Sequence, residues 1–172
     1  MIFATVGTQL PFDRLLLGLD SWAALNPGVS VFAQCGDSRK RLRHIETVAQ
    51  LSQRDFRARL KAAKLVVSHA GMGSILTAAE LGKPVILMPR RAKFGEHRND
   101  HQQDTAIEMA RLSNVTVAED GEALHAALDA AVALGFESPI GRAELGGEAL
   151  APLIEVVRDF VWNRTPCGGA SA

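Results

Sequence analysis

Residues 65–103 read LVVSHAGMGSILTAAELGKPVILMPRRAKFGEHRNDHQQ, and this stretch decides the fold. The apolar run Leu65-Val66-Val67-Ser68 stops at His69-Ala70-Gly71-Met72-Gly73-Ser74. A helix-compatible segment follows, then Lys83-Pro84, then a second apolar run, Val85-Ile86-Leu87-Met88. The order is strand, glycine turn, helix, strand. Glycines at 71 and 73 allow a tight turn and close approach of the backbone to a ligand, and the spacing predicts Ser74 as the cap of the new helix. Free amides and the positive end of the helix dipole at such a turn suit a phosphate, although every doubly wound sheet also uses glycine turns for purely structural ends. The polar cluster Glu96-His97-Arg98-Asn99-Asp100-His101-Gln102-Gln103 follows the next strand. It is therefore expected at the same carboxyl edge of the sheet, where open α/β folds bind their ligands.

Working outward, strands are predicted at Ile2–Val6, Val29–Gln34, Leu65–Ser68, Val85–Met88 and Val115–Ala118. Helices are predicted at Phe12–Leu25, Arg54–Ala63, Ser74–Leu81, Asn99–Ser113 and Glu122–Leu134. Strands alternating with helices imply an α/β fold, a single Rossmann-like domain whose parallel sheet is flanked by helices through right-handed crossovers. Leu15, Leu16, Leu19 and Trp22 share one stripe of the first helix, which is core spacing. A Gly- and Pro-containing loop near Ser138-Pro139-Ile140-Gly141 separates residues 1–137 from a C-terminal extension, 138–172. Within that extension Glu148–Trp162 carries an amphipathic pattern through Leu150, Leu153, Ile154, Val157, Phe160 and Val161, which packs on its own domain or docks on a partner.

The central stretch resembles the C-terminal, donor-binding domain of GT-B glycosyltransferases of the family 28 type. The shared pattern is a strand ending in Ser/Thr-His/Arg-x-Gly, a Ser/Thr entering a helix, Gly-x-Pro before a strand, and His/Asp-Gln followed by Ala; here these are His69, Gly71, Ser74, Gly82, Pro84, His101, Gln102 and Ala106. Thr5-Val6-Gly7-Thr8-Gln9, with Pro11-Phe12-Asp13, is similar to the family's first loop. That start, the length of one half-enzyme, and Pro89-Arg90-Arg91 before Glu96-His97 are most similar to the small soluble subunits of two-chain enzymes. Those include bacterial exopolysaccharide subunits of the PssE kind and the eukaryotic subunit that adds the second N-acetylglucosamine to dolichol-linked sugar. The chain is one half of a GT-B enzyme on this resemblance.

The resemblance implies transfer of a sugar from a UDP-sugar donor to a lipid-linked acceptor in polysaccharide biosynthesis, glucuronosyl or N-acetylglucosaminyl transfer being the two forms considered. It implies that the general base and the acceptor site lie on a membrane-associated partner subunit, so the catalytic residue is not assigned within this chain. The donor-binding set is Gly7, Thr8, Gln9, His69, Gly71, Gly73, Ser74, Thr77, Glu80, His101 and Gln102. Gly7, Thr8, Gly71, Gly73 and Ser74 are the candidates for the phosphates. Gln102, with His101, is the candidate for sugar hydroxyls, since an amide both donates and accepts. His69 either supports the phosphate loop or is a satisfied buried histidine. Thr77 occupies the position at which many relatives carry a ribose-binding glutamate, and Glu80 lies nearly a helical turn further on. Arg90 and Arg91 either meet the carboxylate of an acidic sugar or pair with Glu96 and Asp100. No metal or cofactor is implied, because helix amides can hold a diphosphate alone. A non-catalytic nucleotide-sugar sensor or scaffold is the alternative.

Composition is compatible with this reading. The chain has 172 residues, 47% hydrophobic and 22% charged, with formal net charge zero, so it carries no general attraction to nucleic acid. Arg39-Lys40-Arg41-Leu42-Arg43 is locally basic, as a solvated segment or as a membrane or partner contact. No apolar run approaches the length of a membrane span, and MIFATVG enters a strand directly. A cytoplasmic location, peripheral to the inner face of the membrane through the partner, is expected. Cys35 and Cys167 are expected as free thiols. A Ser–His hydrolase is disfavoured, because Ser68, His69 and Ser74 lack a Gly-x-Ser-x-Gly elbow and an orienting acid.

Overall fold

The computed structural model of the chain describes residues 1–8 and 10–136. Gln9 and the whole C-terminal extension, including the Glu148–Trp162 segment and Cys167, lie outside the described residues. Six strands and five helices follow one another, alternating except where β3 comes directly after β2: β1 (Ile2–Thr5), α1 (Asp13–Leu25), β2 (Val31–Gln34), β3 (Glu46–Val48), α2 (Gln53–Ala62), β4 (Leu65–His69), α3 (Met72–Glu80), β5 (Val85–Met88), α4 (His101–Met109), β6 (Val115–Val117) and α5 (Gly121–Ala133). A 3-10 turn at Ala92–Phe94 interrupts the path from β5 to α4.

All strand pairs are parallel, in the order β3-β2-β1-β4-β5-β6. The chain winds outward from β1 to β3, then returns to the other side of β1 and winds outward again to β6. The switch point therefore lies between β1 and β4, where Thr5 stands beside Ser68. Ligands of this doubly wound, Rossmann-like arrangement bind outside the carboxyl ends of the strands at that crevice.

Strand alternation fills two cores. Ile2, Ala4 and Val6, with Leu65, Val67, Ile86 and Met88, face α1 and α5. Phe3, Val66, Val85 and Leu87 face the other way, against Leu60 of α2, Ile75 and Ala78 of α3 and Met109 of α4. The predicted α1 stripe is buried throughout, and Trp22 sends its indole N–H to Asp129 Oδ1 at 2.7 Å. With both faces covered, β1, β2 and β5 are buried at every position, as parallel strands between helix layers are.

Beyond shifts of one or two residues at other element ends, three differences from expectation have identifiable reasons. β3 was not expected: Glu46-Thr47-Val48 is a short edge strand, partly to fully exposed, with no apolar run to announce it. The segment 99–113 shortens to a helix over His101–Met109 because residues 110–114 turn back toward β6. α3 begins at Met72 with Gly71 as its N-cap, so Ser74 sits inside the first turn and does not cap.

Candidate functional site

The loops that follow β1 and β4 meet at the switch point and, with the start of α4, enclose a cleft of about 780 Å³. That volume lies inside the range of roughly 300–1,000 Å³ usual for small-molecule sites. One wall is Thr5–Thr8 and Leu10; the floor is His69–Ser74 with Thr77; the opposite wall is Arg90, His97, His101, Gln102 and Thr105; Gln34, Leu51, Gln53 and Phe56 close the far end.

His69 is the piece that joins the two glycine turns. A Cβ placed on Gly71 would stand 2.1 Å from its Nε2, and one placed on Gly7 would stand 2.7 Å from its Cε1. The imidazole is therefore wedged between the two backbones, and glycine is required on both sides; at Gly7 the φ of +77° demands it independently. Of the two roles expected for His69, the structure supports loop support, since Nδ1 is buried without a hydrogen-bond partner. Its pKa is pushed down to about 4, chiefly by burial, next by the positive charge of Arg90, and slightly by His97; the Thr5 backbone opposes the shift weakly, short of a well-formed hydrogen bond. His69 is neutral at physiological pH.

The α3 N-terminus opens directly into this cleft. Ser52 caps α2 by accepting the Asp55 N–H at 3.1 Å, and Asp120 caps α5 by accepting the Ala123 N–H at 2.9 Å. α3 has neither a side-chain cap nor an acidic residue in its first turn. Helix geometry leaves the Met72, Gly73 and Ser74 amides without intrahelical acceptors, and the first amide to close back is Ile75, onto the Gly71 carbonyl. A Cβ on Gly73 would meet nothing within 4 Å. Gly73 is thus not needed for the turn, and the space above it is open cleft. An N-terminus with free amides and a positive dipole end is an anion site.

The remaining candidates divide. Thr8, Ser74, Thr77, His101 and Gln102 line the cleft. The Thr77 hydroxyl donates to the Gly73 carbonyl at 2.8 Å. Glu80 does not line the cleft; its carboxylate pairs with Arg57 at 3.3 Å. The Gln102 oxygen accepts the Arg90 backbone N–H at 3.1 Å, so its NH2 end is the one left for a ligand, and the amide acts as a donor there. His101 packs edge-on to His97 at 4.4 Å between ring centroids, and both rings bond Asn99.

Of the two roles expected for the arginines, side-chain pairing with the Glu96 and Asp100 carboxylates does not occur. Arg90 is buried, and its guanidinium donates to the Val6, Leu10, Pro11 and Glu96 carbonyls. Arg91 pairs with Glu119 and does not line the cleft. Glu96 is held instead by Arg14, at 2.8 and 2.9 Å, and Asp100 accepts the Ala92 amide. Gln34 went unread in the sequence. It is a buried amide at the carboxyl end of β2 whose Oε1 has no partner, and a polar residue ending an apolar strand was the available signal. Among the described residues no carboxylate lines the cleft, and no group of His, Cys, Asp and Glu is arranged to hold a metal. The arrangement can bind a phosphorylated ligand and orient polar groups beside it.

The glycosyltransferase family 28 C-terminal domain matches residues 1–135. The chain belongs to this family. It is similar to the UDP-N-acetylglucosamine transferase subunit ALG13 of Yarrowia lipolytica, 26% identical over 141 residues, covering 72% of this chain and 67% of that protein. Among solved structures, ALG13 superposes with a TM-score of 0.60 at 19% identity, covering 91% of this chain and 93% of that one. The kitacinnamycin glycosyltransferase superposes at 0.61 with 18% identity, and MurG of Acinetobacter baumannii at 0.57 with 17%. This family 28 domain spans 44% and 49% of those two chains respectively, less than half of each.

Proposed function

We propose that this family 28 domain is the donor-binding subunit of a two-component, UDP-sugar-dependent glycosyltransferase. Its acceptor site and general base would lie on a membrane-associated partner that presents a lipid-linked acceptor in polysaccharide biosynthesis, with this chain held peripherally at the cytoplasmic face. The observation that carries the proposal is the uncapped α3 N-terminus opening under Gly73 into the switch-point cleft. The diphosphate would receive the Met72, Gly73 and Ser74 amides, and the same groups would stabilise charge as UDP leaves. The Gln102 NH2 would meet a sugar oxygen. Similarity to a protein named as a transferase subunit, over most of its solved chain, supports the two-component form. The engagement of Arg90 and Arg91 within the protein favours a neutral N-acetylhexosamine over glucuronic acid.

A non-catalytic nucleotide-sugar sensor is the second reading. It is favoured by one observation: the ribose-side position holds Thr77, turned back onto Gly73, while Glu80 points to Arg57. Thermal shifts with UDP and UDP-N-acetylglucosamine, with and without EDTA, test the donor site. Stabilisation that survives EDTA is expected; stabilisation by purine nucleotides alone would refute it. Sugar transfer to a lipid-linked acceptor only after addition of membranes carrying the partner separates the enzyme from the sensor, and turnover by this chain alone would defeat the split.

A further inference from the structure

We propose that Arg90 is the positioning residue of the diphosphate subsite, fastening the β1 loop at the cleft while holding beneath the phosphates a positive charge that the protein leaves uncompensated. The inference rests on the donor-site reading above. Arg90 is 3% exposed. Its Nη1 donates to Pro11 O at 2.8 Å and Glu96 O at 3.1 Å, and its Nη2 to Val6 O and Leu10 O, both at 2.6 Å. Three of those four carbonyls bracket Gly7 and Thr8, so one guanidinium sets both ends of the first loop and ties it to the chain that follows β5. The Phe12 ring lies 4.7 Å from its central carbon and covers one face.

Every acceptor on that guanidinium is a neutral carbonyl. The carboxylate nearest in charge, Glu96, spends both oxygens on Arg14 and one also on the Arg91 amide. Two guanidiniums thus share one carboxylate, which leaves one positive charge. A buried cation is costly unless an anion compensates it, and burial lowers the Arg90 pKa while Glu96 only partly restores it. The charge is felt at the right place. Arg90 is the strongest charge acting on His69, the ring wedged between the two glycine turns that line the anion site. A field that disfavours a proton on His69 favours phosphate oxygens over the same turns.

Titration calorimetry of the wild type, Arg90→Met and Arg90→Lys with inorganic pyrophosphate, UDP and uridine tests the inference. Arg90→Met should weaken pyrophosphate and UDP on the order of tenfold and leave uridine within about twofold, because one unit charge near the phosphates is lost. Arg90→Lys keeps the charge but cannot span four carbonyls, so it should retain most of the preference for UDP over uridine. In both variants amide exchange at Val6, Gly7, Thr8 and Leu10 should speed up. Raising KCl should weaken UDP binding more steeply in the wild type than in Arg90→Met. Unchanged pyrophosphate affinity in Arg90→Met, or equal losses for UDP and uridine in both variants, would overturn the proposal. Should Arg90→Met not fold, loss of the UDP preference in Arg90→Lys overturns it and retention supports it. A wild type that binds pyrophosphate but not UDP sinks the donor reading while leaving Arg90's role intact, and a wild type that binds neither sinks both.

Discussion

Gly71 and Gly73 stand two residues apart in one turn, yet alanine at each should do opposite things. Gly71 has φ −100° and ψ 127°, a conformation any residue adopts, so its substitution meets no backbone strain. The whole cost comes from His69, whose Nε2 would lie 2.1 Å and whose Cδ2 and Cε1 would each lie 2.8 Å from the new methyl. Relief requires the ring to move, and Gly7 blocks retreat on its other side. Overpacking of this kind costs about 1–3 kcal/mol. For a protein of this size that lowers Tm on the order of 3 °C per kcal/mol. Gly73→Ala meets nothing within 4 Å and trades glycine for alanine in the first turn of α3, so it should raise stability by up to about 0.5–1 kcal/mol. Its methyl would stand where a diphosphate must approach the Met72–Ser74 amides, and UDP affinity should fall about tenfold or more. Urea denaturation and calorimetry on both variants read the two quantities separately. A Gly73→Ala protein that is destabilised, or that binds UDP normally, would refute the assignment of that space to the ligand. As a control, His69→Ala should abolish most of the Gly71→Ala penalty, because the clash has a single partner.

His69 is depressed to about 4 from 6.5, so the unfolded chain binds its proton first as pH falls; the contribution of the neutral ring is complete above about pH 6.5 and drains away toward pH 4, roughly 3 kcal/mol in all. Urea midpoints from pH 7 to pH 4 should show that loss, and His69→Asn should flatten the part of the slope lying between those values. Gln102→Ala should weaken UDP-sugar binding well beyond UDP binding, because its NH2 is the end left to a sugar; equal losses would make it a nucleotide or structural residue through the Arg90 amide it accepts. Glu80→Gln should leave UDP affinity within about twofold, since the side chain pairs with Arg57 at the exposed surface; a loss of tenfold would return Glu80 to the site.

The fold was legible because its signal is redundant. Strands such as Val85–Met88 are apolar throughout, the helices between them are amphipathic, and the alternation admits little beyond a parallel sheet. β3 escaped because an edge strand needs no apolar face, and its Glu46-Thr47-Val48 pairs through backbone bonds that any sequence supplies. In the site, positions fixed by backbone were readable: the glycine turn, the helix that follows it, and the strand ends that bring His69 and Gln102 to one edge. What resisted reading was side-chain partnership. Arg14 is 82 residues from Glu96, and nothing in the local sequence says that it, rather than Arg90 or Arg91, takes that carboxylate. Likewise Ser74 has the chemistry of a cap, but the helix starts before it, and only the three-dimensional turn decides which residue comes first.

Gly7, His69 and Gly71 behave as one structural unit although they belong to two loops. The imidazole stands against both of the turns that follow adjacent strands, so the space it takes limits what either glycine can become. An alanine at 69 would remove the contact that both turns share. A phenylalanine would put a larger apolar ring at the cleft and lose the polar edge that remains uncharged beside Arg90. The ring's neutrality is part of the same design: a second fixed cation there would be buried next to the first without an acidic partner. A compact ring whose charge is set by its surroundings is what histidine supplies here. It follows that bulk added at 71 is compensated only by change at 69, whereas at 7 the backbone demands glycine as well, and that the anion site on α3 keeps its shape through a residue that makes no hydrogen bond through its buried Nδ1.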